Sequence, residues 1–243
     1  MTVFLTSSPT GPLDNSRIVH GIDTKNNLIG NLRAHWKSDA RCLYITASPS
    51  EFRENDIACT FFADAFQQSG FPISAFDCWD NRTTDFSSEN PHSYDVIILG
   101  GGHLPTQNIF FHRIGLREAI QGFGGIVIGI SSGTMNCADI VYAQPENPGE
   151  TLDPDYNYFP IGLGLTHVNV LPHYQMVKDF WLGGKRLYED ITFTDSYGRE
   201  FIALPDGSYI RIEDGQHRIF GDAYLVKDGV MEQICWEDQS IPL

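Results

Sequence analysis

Short apolar runs bounded by turn residues alternate along this chain with longer stretches of helical period. Residues 3–5, 42–46, 73–76, 96–99 and 126–130 read as strands. The last two are the near-continuous β-branched runs expected where a strand is buried on both faces. Residues 56–69 place Ile57, Phe61, Phe62, Ala65 and Phe66 on one helical face, with Gly70 where a C-terminal cap belongs. Residues 109–121 repeat that pattern up to Gly122. The alternation predicts an α/β fold on a mainly parallel sheet with helices on both faces.

Beyond about Tyr142 the texture changes. Residues 144–158 are rich in Pro, Asn, Asp and Glu and read as a long surface or functional loop, followed by a strand near 165–170. Runs at 201–204, 209–213, 218–220, 223–226 and 231–234 are then separated by Asp206-Gly207, Asp214-Gly215, Gly221-Asp222 and Asp228-Gly229. These are hairpin-turn dipeptides, so the C-terminal quarter is expected to be an antiparallel meander completing a single domain over 1–243.

The 243 residues include 31 acidic and 16 basic side chains, a net charge of −15. Duplex binding rests on Lys and Arg neutralising phosphates, so no nucleic-acid partner is expected, and anionic membrane surfaces are disfavoured by the same sign. No run approaches the roughly 18 apolar residues of a membrane helix, and the first residues lack a signal-peptide core. The expectation is a soluble, cytoplasmic protein. Five cysteines, odd in number and never spaced C-x-x-C, read as reduced thiols mostly in the core, and no metal or cofactor is expected.

The strongest chemical signal is Gly129-Ile130-Ser131-Ser132-Gly133, directly after one predicted strand and before a small-residue helical start. A serine there sits on a tight strand-to-helix turn, its Oγ raised above the sheet edge and facing the positive end of the next helix. Such a serine needs a base. His173, in Leu171-Pro172-His173-Tyr174, stands just past a predicted strand and hence at the carboxyl edge of the sheet. His20, His35, His92 and His217 fall in polar or turn contexts, and His112 and His167 on element faces. The loop between serine and histidine offers Asp139, Glu146, Glu150, Asp153 and Asp155 as the carboxylate that would orient the imidazole. Gly100-Gly101-Gly102-His103, ending another buried strand, could present bare N–H groups to an oxyanion.

Together these segments resemble the serine peptidase family of dipeptidase E and cyanophycinase. The resemblance covers most of the chain and includes Thr6-Ser7-Ser8, Gly162-Leu163-Gly164-Leu165 and Ala203-Leu204-Pro205-Asp206-Gly207-Ser208-Tyr209-Ile210. It implies a three-layer sandwich similar to flavodoxin-like and class I glutamine amidotransferase domains. Ser131 would be the nucleophile, His173 the base and Glu146 the acid, with Glu150 four positions on as the other carboxylate. Gly102 and Ser132 would supply the oxyanion hole. His103 stands where the family usually has Asn, and Ser131-Ser132-Gly133-Thr134 where it has Ser-Ala-Gly-Ala, which leaves the Asp-X preference open. Arg113 and Arg117, on the helix after the glycines, could face the site or water. The expected partner is a small peptide, with a homodimer left open. An esterase or amidase with the same triad, and a binding protein of the same fold without turnover, are the alternatives.

Overall fold

The computed structural model describes residues 1–10, 21–83 and 90–243; His20 lies outside them. β1 (Thr2–Thr6) is followed by α1 (Leu28–Arg33), β2 (Ala40–Ile45), α2 (Phe52–Gln68), β3 (Ile73–Trp79) and β4 (Val96–Leu99). α3 (Leu104–Arg113) and α4 (Leu116–Ala119) lead to β5 (Ile126–Ile130), α5 (Ser132–Met135), β6 (Asn169–Leu171) and α6 (Tyr174–Val177). A hairpin, β7 (Trp181–Leu182) and β8 (Lys185–Arg186), precedes a π-helical turn at Leu187–Thr192 and α7 (Phe193–Asp195). β9 (Glu200–Ala203), β10 (Tyr209–Glu213), β11 (Gln216–Phe220), β12 (Ala223–Lys227), β13 (Val230–Cys235) and β14 (Ser240–Pro242) complete the order.

The central sheet runs β14-β11-β10-β1-β5-β4-β2-β3. Its five strands from β1 to β3 are parallel, and β10, β11 and β14 extend it antiparallel. Strand alternation sends Leu5, Leu43, Ile45, Ile97 and Val127 to one face, where they meet Phe110, Phe111, Leu116 and Ile120 of α3, α4 and the turn after them. Phe4, Tyr44, Ile98 and Ile128 point the other way, onto Leu28 and Leu32 of α1 and Ala65 and Phe66 of α2. Burial on both faces explains why these strands read as unbroken apolar runs.

The C-terminal strands do not form one meander. β10 and β11 join the central sheet, while β12 and β13 build a second sheet, β13-β12-β9-β6. Within it β6 and β9 are parallel, with Leu171 opposite Ala203. This sheet packs Val170, Ile202 and Ala223 into the core above α3, and buries Leu171, Phe201 and Val226 on its far side.

Several boundaries differ from expectation, among them the start of the helix expected from 109, which begins at Leu104, and the end of β3, which runs to Trp79. α2 starts four residues before Asp56, because its first turn, Phe52 to Glu54, is exposed and so carries no apolar period. The single helix expected over 109–121 is two, divided at Gly115, whose φ of 63° lies in the left-handed region. The strand near 165–170 shortens to β6, since Leu165 instead donates its N–H to the Cys137 carbonyl at 2.8 Å.

Candidate active site

β5 is followed by Ser131, whose φ of 52° and ψ of −115° lie outside the regions favoured by residues with a Cβ. Strain of this kind persists only where neighbours enforce it. The Ser131 N–H donates to the Thr6 carbonyl at 3.2 Å, and the Thr134 hydroxyl donates to the same oxygen at 2.7 Å. Gly133 is required by closeness, because a Cβ there would stand 2.2 Å from the Leu99 carbonyl oxygen. The elbow is therefore clamped between the ends of β1 and β4. A Cβ on Gly101 would lie 3.2 Å from that of Ser131, which puts the glycine loop directly beside the serine. Neither the Gly102 nor the Ser132 N–H has a carbonyl partner among the described loop and turn hydrogen bonds. The Ser132 hydroxyl is buried without a hydrogen bond. α5 is only four residues long, so the helix dipole anticipated behind Ser131 amounts to little.

His173 follows β6 in the second sheet rather than the central one, and holds a left-handed backbone, φ 58°. Its Nδ1 lies 2.7 Å from Asp206 Oδ1, a residue reached from the end of β9. The parallel pairing of β6 with β9 brings the two together. Ser7, fully buried at the end of β1, donates to the same Oδ1 at 2.6 Å and accepts the His173 backbone N–H at 2.7 Å. Gln175 donates to Asp206 Oδ2 at 2.7 Å. Burial pushes the Asp206 carboxyl upward, but the bonds from His173, Ser7 and Gln175 outweigh it and hold it below the usual carboxylate value.

A carboxylate depressed in the folded state contributes stability that is complete above its unfolded value, near 4, and disappears as pH falls through the lowered folded value. The Asp206→Asn chain is therefore expected to be less stable than the parent at neutral pH, with the gap narrowing as the medium is acidified below about pH 4. Urea midpoints measured from pH 7 down to pH 3 test this; a constant gap would contradict it.

Glu146 makes no hydrogen bond to the imidazole, although the resemblance implied it as the acid. It lines the same cavity, but its Oε1 accepts the Leu104 N–H at 3.2 Å. Its side chain is exposed, yet desolvation by the surrounding protein raises its pKa, and the Leu104 N–H and nearby His103 offset only part of the rise. Glu150 is engaged further away. It takes His103 Nε2 at 2.7 Å and the N–H groups of Glu146 and Asn147, so it closes its own loop onto the start of α3. His103, in the place of the family's usual Asn, is thus a loop staple.

Ser131, His173 and Glu146 share one cavity of about 270 Å³. The remaining described histidines are occupied elsewhere: His35 by Glu213, His92 by the Ala119 carbonyl, His112 by the Ile161 carbonyl, His167 by Asp139 and His217 by Thr166. Arg113 bonds Asn81 and lies over the Phe110 ring, and Arg117 bonds the Gly162 carbonyl. No group of three or more His, Cys, Asp or Glu among the described residues is arranged to hold a metal ion. No described helix is long and apolar enough to cross a membrane.

In the sequence Asp206 is masked by Asp-Gly between two strands, which signals a turn, and by its place after the histidine rather than between serine and histidine. The available clue was the position of Pro205-Asp206 just past an apolar run, as Pro172-His173 is.

An open α/β sheet with a strained serine at a strand end, sharing a cavity with a carboxylate-bound histidine, is the arrangement of serine hydrolases. The model of Peptidase family S51 matches residues 18–220, and the chain belongs to that family. It is a serine-type peptidase. Among solved structures, a peptidase from an acI-B1 Actinobacterium superposes with a TM-score of 0.65 at 16% identity, over 100% of this chain and 96% of that one. A protein from Listeria monocytogenes EGD-e, assigned by its name to Peptidase E, superposes at 0.53 with 15% identity, over 96% and 98%. Identities this low speak to the fold alone: mixed α/β with a large, mainly parallel central sheet and further antiparallel strands. No curated protein matches in sequence.

Proposed function

We propose that this chain hydrolyses a small peptide in the manner of dipeptidase E, through an acyl-enzyme on Ser131, within a three-layer α/β frame. His173 is the general base, and Asp206, in place of the expected Glu146, is the acid that orients it. The observation that carries this reading is the cavity shared by Ser131 and a His173 whose Nδ1 is bonded to a buried carboxylate. With Asp206 accepting the Nδ1 proton, the Nε2 lone pair is left for the serine hydroxyl. As Oγ attacks the scissile carbonyl carbon, its proton moves to Nε2 and the new C–O bond forms. The tetrahedral oxyanion is met by the Gly102 and Ser132 N–H groups, which have no carbonyl partner among the described loop and turn hydrogen bonds. His173 then returns the proton to the leaving amine as the C–N bond breaks. Water repeats the sequence on the ester, releasing the acid and restoring Ser131. Five free cysteines support action in the reducing cytoplasm.

A fluorophosphonate probe tests the nucleophile directly. Folded protein is expected to be labelled near stoichiometry, with the adduct mapped by peptide mass spectrometry to Ser131. Folded protein that resists the probe would instead point to a binding protein without turnover.

A further inference from the structure

The walls of the cavity beside Ser131 are of two kinds. Met135, Val177, Phe180, Leu182 and Leu187 form an apolar lining, and among the described residues no Lys or Arg contributes to it. Phe180 is 53% exposed although it faces this cavity, an aromatic surface left uncovered at the mouth. Arg113 and Arg117, the nearest cations to suggest themselves from the sequence, are both committed elsewhere. The charged side chain in the wall, apart from the titratable His173, is Glu146. Its hydrogen bonding is incomplete: one backbone N–H at 3.2 Å, with His103 turned to Glu150 instead.

These facts set the chemistry of what can enter. An aspartyl side chain would leave water for an apolar wall in which no described residue is a cation, and would do so beside a second carboxylate. An apolar side chain would cover exposed hydrocarbon and Phe180. A solvent-exposed carboxylate in the wall of a cavity, with one weak backbone donor from the protein, can still bind a positive charge that brings its own N–H groups. The free amino group of an N-terminal residue is two bonds from the scissile carbonyl, so a residue acylating Ser131 carries its ammonium group into this same cavity.

We propose that the cavity accepts an N-terminal residue with an apolar side chain and that Glu146 binds its free ammonium group. The inference rests on Ser131 being the nucleophile. Glu146 is on this reading a specificity-determining residue, which accounts for its place in the cavity without a contact to the imidazole ring nitrogens.

The test uses the full chain and a series of dipeptides, Leu-Gly, Met-Gly, Phe-Gly, Asp-Gly and N-acetyl-Leu-Gly, with released glycine quantified. Apolar substrates are expected to exceed Asp-Gly in kcat/KM by at least about 100-fold, within the range a mismatched pocket produces. N-acetylation is expected to reduce kcat/KM by a similar factor. In Glu146→Gln, the ratio of free to acetylated Leu-Gly should fall at least tenfold, chiefly through KM. The wild-type series stands without the variant, should Glu146→Gln fold poorly. Equal or better cleavage of Asp-Gly, indifference to N-acetylation, or no dipeptide cleavage would overturn the inference. Fluorophosphonate labelling run in parallel separates the cases: Ser131 labelled with the wrong preference removes only the substrate assignment, whereas an unlabelled Ser131 removes the nucleophile as well.

Discussion

Ser131→Ala is expected to lower peptide turnover by on the order of 10⁴- to 10⁶-fold and to leave the melting temperature within a few degrees. The rate loss follows from removing the only atom that forms the acyl bond; what remains comes from the oxyanion donors and from binding. The small stability effect follows from the local geometry. The Ser131 side chain makes no hydrogen bond within the described residues, so alanine leaves no buried partner unpaired. Both residues carry a Cβ, so the strained backbone at φ 52° costs the folded state about the same in each. Activity retained within tenfold of the parent, in a variant that melts normally, would remove Ser131 from the chemistry.

Asp206→Asn is expected to reduce kcat by roughly 10³- to 10⁴-fold, the scale seen when the acid of a serine triad becomes an amide. The carboxylate accepts from His173 Nδ1, Ser7 Oγ and Gln175 Nε2. An amide has one acceptor oxygen for these three donors and presents an N–H₂ to the rest. The imidazole is then driven toward the tautomer that carries its proton on Nε2, where it cannot take another from Ser131. The comparison with Glu146 decides between two acids. If Asp206 orients His173, Asp206→Asn falls mainly in kcat on every substrate, whereas Glu146→Gln falls mainly in KM and only where a free amine is present. The reverse pattern would restore Glu146 to the triad.

The central sheet was legible because its strands are buried on both faces, and an unbroken β-branched run such as Val96–Leu99 has few other readings. Ser131 was legible for a related reason: a serine between glycines at a strand end marks a turn whose sterics are local. His173 was placed at a strand end correctly but on the wrong sheet, since nothing local distinguishes a strand of the second sheet from one of the first. Asp206 was out of reach because its role depends on β6 lying parallel to β9, a pairing between segments about thirty residues apart. The meander expectation failed for the same reason. Asp214-Gly215 and Asp228-Gly229 do form tight turns with positive φ, but turn chemistry does not say which sheet a hairpin joins.

Ser7 belongs to the central sheet, while both groups it holds belong to the other. The proposed attacker and proton acceptor are thus mounted on separate plates, with the Ser7 hydroxyl bridging them beside the shared apolar core. Mild denaturant that lets those plates slide by an ångström would silence the enzyme before either plate comes apart, so loss of rate should run ahead of loss of circular dichroism.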